Sequence, residues 1–161
     1  MMIDLSGKIA LVTGGASGIG RGICLVLAEQ GAELVVADLN LQGAQDVASD
    51  VRDAGGAAIA IQVNVTDRDS VTVMAEHVLE QFGKIDILVN DAGIIGADRW
   101  WERETPSDED WAQVFAVNVR GMVITSEAVS KQMKARNYGK IINIASIAAR
   151  QGSPDIPHYS T

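Results

Sequence analysis

The stretch VTGGASGIGRG (residues 12–22) has the residue types of an anion cradle. Gly14, Gly18 and Gly20 are spaced G-x-x-x-G-x-G. Small residues let a backbone pass close to a pyrophosphate, and a helix that follows offers unpaired N–H groups and a partial positive charge at its start. The usual dinucleotide fingerprint is G-x-G-x-x-G, so the physics is shared although the spacing is not. Glycines also serve tight turns. Placement favours the cradle, because an apolar run precedes this stretch and a helical pattern follows it. Asp38 adds to this reading. It ends the second apolar run, about 20 residues past the turn, where a carboxylate can accept from both ribose hydroxyls of NAD. The same charge would repel a 2′-phosphate, and Ser17 and Leu39 supply no arginine to hold one. The plainer role for Asp38 is a carboxylate at the start of the next helix.

The elements that must position these residues alternate along the chain. KIALVT (8–13), ELVVAD (33–38), AAIAIQVNV (57–65), IDILVN (85–90) and KIINIAS (140–146) are apolar runs suited to a parallel sheet buried on both faces. Helical patterns lie between them. They cover 18–30, 41–54 (Ala44, Val47, Ala48 and Val51 on one face), 67–82 (Val71, Met74, Ala75, Val78, Leu79 and Phe82) and 108–136 (Trp111, Val114, Phe115, Met122 and Val129 on a shared stripe). Gly55 and Gly83 are placed to cap helix ends. Strand–helix alternation of this kind predicts an α/β fold: a Rossmann-like, doubly wound parallel sheet with right-handed crossovers, over 1–161 as one domain. The long connection 94–107, IIGADRWWERETPS, follows a strand's C-terminal end, where such sheets bind ligands.

Bulk properties narrow the class. The formal charge is −8, from 13 basic and 21 acidic residues, which argues against nucleic acid and anionic membrane surfaces as partners. No run of about 18 apolar residues suggests a membrane span, and the start reads as no signal peptide. The single cysteine, Cys24, cannot form an internal disulfide; its apolar context makes it a core residue and fits a cytoplasmic protein. His, Cys and carboxylates nowhere take metal-ligand spacing.

TGGASGIG (13–20), NDAG (90–93), NVRG (118–121), IINIAS (141–146) and Tyr159 together resemble the classical short-chain dehydrogenase/reductase family. The match runs in order over the whole chain. The resemblance implies an NAD-dependent oxidoreductase that interconverts a secondary alcohol and a ketone. It implies that Gly14, Ser17, Gly18, Ile19 and Gly20 hold the pyrophosphate, that Asp38 reads the ribose, and that Asn64 and Val65 flank the adenine. Asn90, Ala92 and Gly93 match the segment that lines the cofactor after the fourth strand. Two positions depart from the family's pattern. Asn64 stands where an Asp is usual, and its amide oxygen can still bond the adenine amino group. Asp91 stands where a second Asn is usual, which affects the hydrogen bonds that brace the central sheet rather than cofactor binding.

The resemblance also pairs Ser146 with Tyr159, thirteen residues later. Oxidising an alcohol needs a base for the hydroxyl proton as hydride leaves, and reduction needs the same group as an acid. A tyrosine phenol ordinarily titrates at about 10, too high for base work near neutrality. The family answers with a lysine four positions after the tyrosine, whose charge favours the phenolate. Ser146 would hold the substrate oxygen and favour developing alkoxide. Asn118, on the apolar stripe of its helix, would position water that connects to that lysine; its plainer role is a satisfied core amide that bends the helix. The resemblance further implies a polypeptide continuing past Thr161 with the lysine, two more strands and a substrate loop. A piece ending at Thr161 would hold the adenosine half of NAD but turn over poorly or not at all. A homotetramer or homodimer, packed through the helix at 108–136, is implied as well.

Other candidates carry plainer expectations. His158 reads as a solvated loop residue and His77 as a surface one. Trp100 and Trp101 could roof a substrate pocket or pack over the helix at 108–136. SDEDW (107–111) reads as a helix start capped by Ser107. Three alternative functions stand beside the first: a non-catalytic dinucleotide-binding module, an NADP-dependent 3-oxoacyl-carrier-protein-type reductase, and a sugar-nucleotide epimerase. The last usually has a G-x-x-G-x-x-G turn, which this chain does not match.

Overall fold

A computed structural model of the chain describes residues 3–160. Five strands form one parallel sheet in the order β3-β2-β1-β4-β5: β1 Ile9–Thr13, β2 Glu33–Asp38, β3 Ala58–Gln62, β4 Ile87–Asn90 and β5 Lys140–Asn143. The expected Rossmann-like sheet is present. Helix α1 is Gly18–Glu29, α2 Leu41–Asp53 and α3 Arg68–Phe82, each within two residues of the pattern that predicts it. Among the described residues no helix is long and apolar enough to cross a membrane.

Alternation along the strands builds the two sides of the sheet. Ile9, Leu11, Val35 and Leu88 face one core with α3 and the later helix α5 (Met122–Ala135), through Val71, Met74, Val78, Ile124 and Val129. Ala10, Val12, Leu34, Val36 and Val89 face the other, with Cys24 of α1 and Ala44, Val47 and Val51 of α2. Both faces of the three central strands are therefore buried, which is why their sequences read as unbroken apolar runs. Complete burial of a leucine such as Leu11 or Leu88 contributes about 2 kcal/mol.

The outer strands are shorter than their apolar runs. Strand β3 ends at Gln62 because its neighbour ends at Asp38, whose carbonyl takes one last bond from Val63 N–H at 2.9 Å. Among the described residues strand β5 pairs only with β4 and ends at Asn143 for the same reason. It is also exposed throughout, with Ile141 and Ile142 at 40% and 45%.

The region 108–136 differs most from its pattern. It divides into α4 (Asp108–Val114), a seven-residue π-helical stretch (Phe115–Gly121) and α5 (Met122–Ala135). A π segment bonds i to i+5 and takes more residues per turn. The stripe is only partly turned to the core: Val114 and Val129 are buried, whereas Trp111 and Phe115 reach solvent at 36% and 41%.

Candidate functional site

A cleft of about 1000 Å³ opens at the C-terminal ends of the strands, where the sheet order reverses between β1 and β4. Its wall includes the glycine loop (Gly14, Ser17, Gly18, Ile19), Asp38, Asn64 and Val65, then Asp91, Ala92 and Gly93, and finally Asn118, Ser146 and Tyr159. Residues separated by up to 145 positions thus share one cavity, because parallel strands deliver all their C-terminal loops to the same edge.

Two glycines set the shape of the loop. Gly14 has φ +71, and a Cβ there would lie 2.7 Å from the backbone N of Ala92. At Gly20 a Cβ would collide with the Gly14 carbonyl and lie 2.8 Å from Asp91 Oδ2. The loop, the start of α1 and the turn after β4 therefore pack backbone to backbone. Helix starts differ in a telling way. Asn40, Asp67 and Ser107 each cap their own helix with a side-chain oxygen, while Ser17 makes no such bond at α1. Ser17, Gly18 and Ile19 are exposed to the cleft. First-turn N–H groups left without a side-chain cap fit a phosphate.

Asp38 accepts from Ala16 N–H (3.0 Å) and Asn40 N–H (2.9 Å), so it braces the glycine loop and the entry to α2 together. A carboxylate has about four lone-pair sites, so two remain on this cleft-lining side chain. Asn64 is held differently from the expectation. Its Oδ1 accepts from Thr66 N–H (3.0 Å) and Thr66 Oγ1 (2.8 Å), so bonding an adenine through that oxygen would require the turn to open. Val65 is 8% exposed and packs against Gly121.

Asn90 is buried and lies behind the cleft wall. Its Nδ2 donates to Asn143 Oδ1 (2.8 Å) and Ser126 Oγ (3.1 Å), and its Oδ1 accepts from Thr125 Oγ1 (2.6 Å). This network ties β4 to β5 and α5. Neither Thr125 nor Ser126 stands out in the sequence, since hydroxyls within an apolar helix carry no spacing signal.

Asn118 lies in the π-helical stretch and grips Ile94 twice, accepting from its N–H and donating to its carbonyl, both at 2.8 Å. One N–H and one lone pair of the amide remain. Ser146 Oγ accepts from Ala148 N–H (3.1 Å) at the entry to the short helix α6 (Ala148–Gln151), which leaves its hydroxyl proton free to donate. Tyr159 is half-buried in a turn closed by its N–H to Ile156 O (3.1 Å).

His158 departs from expectation. It is 2% exposed rather than solvated. Its ring lies between Trp100 and Trp111, with centroid distances of 6.4 and 6.0 Å, and neither nitrogen has a hydrogen-bond partner among the described residues. Trp100 therefore packs against the Tyr159 segment through His158, while Trp101 is 64% exposed; neither indole lines the cleft. His77 is exposed, as expected.

Asp110 organises the loop beside this cluster. It forms a reciprocal capping box with Ser107, accepts from Ala97 N–H (2.8 Å) and meets Arg103 at 3.2 Å. The Ser107 hydroxyl, outweighing the cost of burial and joined by the Ser107 and Ala97 N–H groups and Arg103, pulls its carboxyl down to about 2. Among the described residues no group of three His, Cys, Asp or Glu side chains could hold a metal ion.

The family model for short chain dehydrogenases matches residues 8–161. The chain belongs to this family. A 3-oxoacyl-[acyl-carrier-protein] reductase of Synechocystis sp. is 38% identical over 99% of the chain and 64% of its own length. The D-threitol dehydrogenase of Mycolicibacterium smegmatis is 41% identical over 90% of the chain and 55% of its own length. Among solved structures, an NAD+-bound xylitol dehydrogenase superposes with a TM-score of 0.89 at 36% identity, covering 97% of the chain and 59% of that protein. The chain thus spans about three fifths of the length of these short-chain dehydrogenase relatives.

Proposed function

We propose that the protein carrying this chain is an NAD-dependent oxidoreductase that interconverts a secondary alcohol and a ketone. The observation that carries the reading is the shared cleft: an uncapped helix start and Asp38 at one end, Ser146 and Tyr159 at the other. Gly14 to Gly20 would hold the pyrophosphate and Asp38 the adenosine ribose. A bound nicotinamide supplies the hydride acceptor or donor. Tyr159 takes the substrate hydroxyl proton during oxidation and returns it during reduction. Ser146, oriented by its bond from Ala148, donates its hydroxyl proton to the substrate oxygen and favours developing alkoxide. Asn118 acts indirectly, aligning the cleft wall through Ile94.

The test follows nicotinamide absorbance with a panel of secondary alcohols and ketones, using the whole protein. Tyr159→Phe is expected to lower kcat by roughly 10²–10⁴-fold while NAD binding persists. Full turnover in that variant would refute the mechanism; NAD binding without turnover of any substrate would favour a binding module. The relatives named as acyl-carrier-protein reductases support a second reading with NADP. Asp38 opposes it, since its carboxylate would meet the 2′-phosphate; tighter binding of NADP than NAD would decide for the second reading. We place homo-oligomer contacts on the exposed stripe Trp111, Phe115, Val119 and Val123. Phe115→Glu should lower the mass measured by light scattering.

A further inference from the structure

Asp91 occupies a position that the proposed phosphate cradle leaves unexplained. Its half-buried side chain lines the cleft, and the carboxylate lies against Gly20 in the first turn of α1. Oδ2 lies so close to Gly20 that any side chain there would meet it at 2.8 Å. The helix start that is free of a side-chain cap from Ser17 therefore already carries one negative charge from another element. An anion and a carboxylate compete for the same partial positive charge, and each disfavours the other. Burial, only partly offset by the Gly20 N–H, already pushes the Asp91 carboxyl up from the usual aspartate value. The group that senses it from α1 is Cys24, whose thiol is pushed up to about 12, mainly by burial and then by the Asp91 charge, and so stays neutral. Arg21, also on α1, is engaged with Asp50 at 2.9 Å.

We propose that Asp91 makes dinucleotide binding proton-linked: the pyrophosphate and the ionised carboxylate exclude one another at the start of α1, so binding takes up a proton on Asp91. This rests on the dinucleotide reading of the cleft. The sign follows from like-charge repulsion. A bound phosphate raises the Asp91 carboxyl further, so affinity falls as pH rises through the window between the free and bound values. An amide at this position could meet the pyrophosphate without that cost, which makes residue 91 a determinant of cofactor affinity.

Titration calorimetry with NAD tests the proposal, in buffers of differing ionisation enthalpy and at several pH values between about 5 and 8. The wild-type protein should take up a measurable fraction of a proton and bind more weakly as pH rises. Asp91→Asn should take up none, lose the pH dependence and bind about tenfold tighter at the upper end, the equivalent of about one unit of carboxyl shift. Should Asp91→Asn fail to fold, Asp91→Ser, which also removes the charge beside Gly20, takes its place. Wild-type binding with no proton uptake overturns the proposal and leaves the dinucleotide reading intact; so does uptake that persists in the variant. Failure of both proteins to bind NAD overturns the dinucleotide reading and this inference with it.

Discussion

Gly14 carries two constraints at once, a left-handed backbone and a neighbour that leaves no room for a methyl group. Gly14→Ala should therefore cost about 2 kcal/mol or more, read as a lowered urea midpoint, because the obstructing atoms are backbone and cannot swing aside. Ser146 invites the opposite expectation. Its hydroxyl accepts one N–H at the entry to a four-residue helix, so Ser146→Ala should leave stability within about 1 kcal/mol. If it serves as proposed, kcat should drop roughly 10²-fold with a smaller change in KM. A loss of stability as large as the loss of rate would reduce Ser146 to a helix-entry residue. Single residues were legible where their type is rare in its setting, as with glycines after a strand. Asn64 and Asn118 were legible as positions but not as bonds: Thr66 meets Asn64 through the local turn, whereas Ile94, 24 positions from Asn118, is brought to it by tertiary packing that residue spacing does not encode.

Among the elements, the connection 94–107 shows how a loop acquires structure. Asp110, buried at the start of α4, ties down Ala97, Arg103 and Ser107, and the edge-on contacts of Trp100 and Trp111 with His158 join that loop to the Tyr159 segment. Asp110→Asn should loosen the loop, and trypsin should then cut after Arg99 or Arg103 faster than in the wild-type chain. Unchanged cutting would show that the aromatic contacts alone suffice. SDEDW was readable as a helix start because capping is local chemistry. Burial of His158 was not, since both tryptophans that enclose it lie more than forty residues away.

For the molecule as a whole, the sheet's opposite end is fastened by Asp86. This buried carboxylate accepts from Ile9 N–H (3.1 Å) and pairs with Arg136 (2.7 Å) and Lys84 (3.1 Å), joining β1, α5 and the turn before β4. Burial raises its carboxyl, but Arg136 first, then Ile9 and Lys84, together hold it below the usual aspartate value. A lowered carboxyl stabilises the fold above the unfolded value, about 3.9, and that contribution disappears as pH falls through the folded value. Asp86→Asn should accordingly lower the urea midpoint at pH 7, with the difference from wild type shrinking below about pH 4. A difference that stays constant with pH would mean that packing, and not charge, is what Asp86 contributes.

By itself the sequence determined the strand–helix order, the central strands and the family, because apolar runs, glycine turns and ordered motifs are properties of short segments. Tertiary structure decided what depends on distant neighbours. It ended β3 and β5 where their partner strands end, broke the helix at 108–136 with a π-helical stretch, and set His158 against two indoles. It also set Asp91 against the first turn of α1. A carboxylate's effect depends on which helix end it meets, and only the folded chain brings β4 and α1 together.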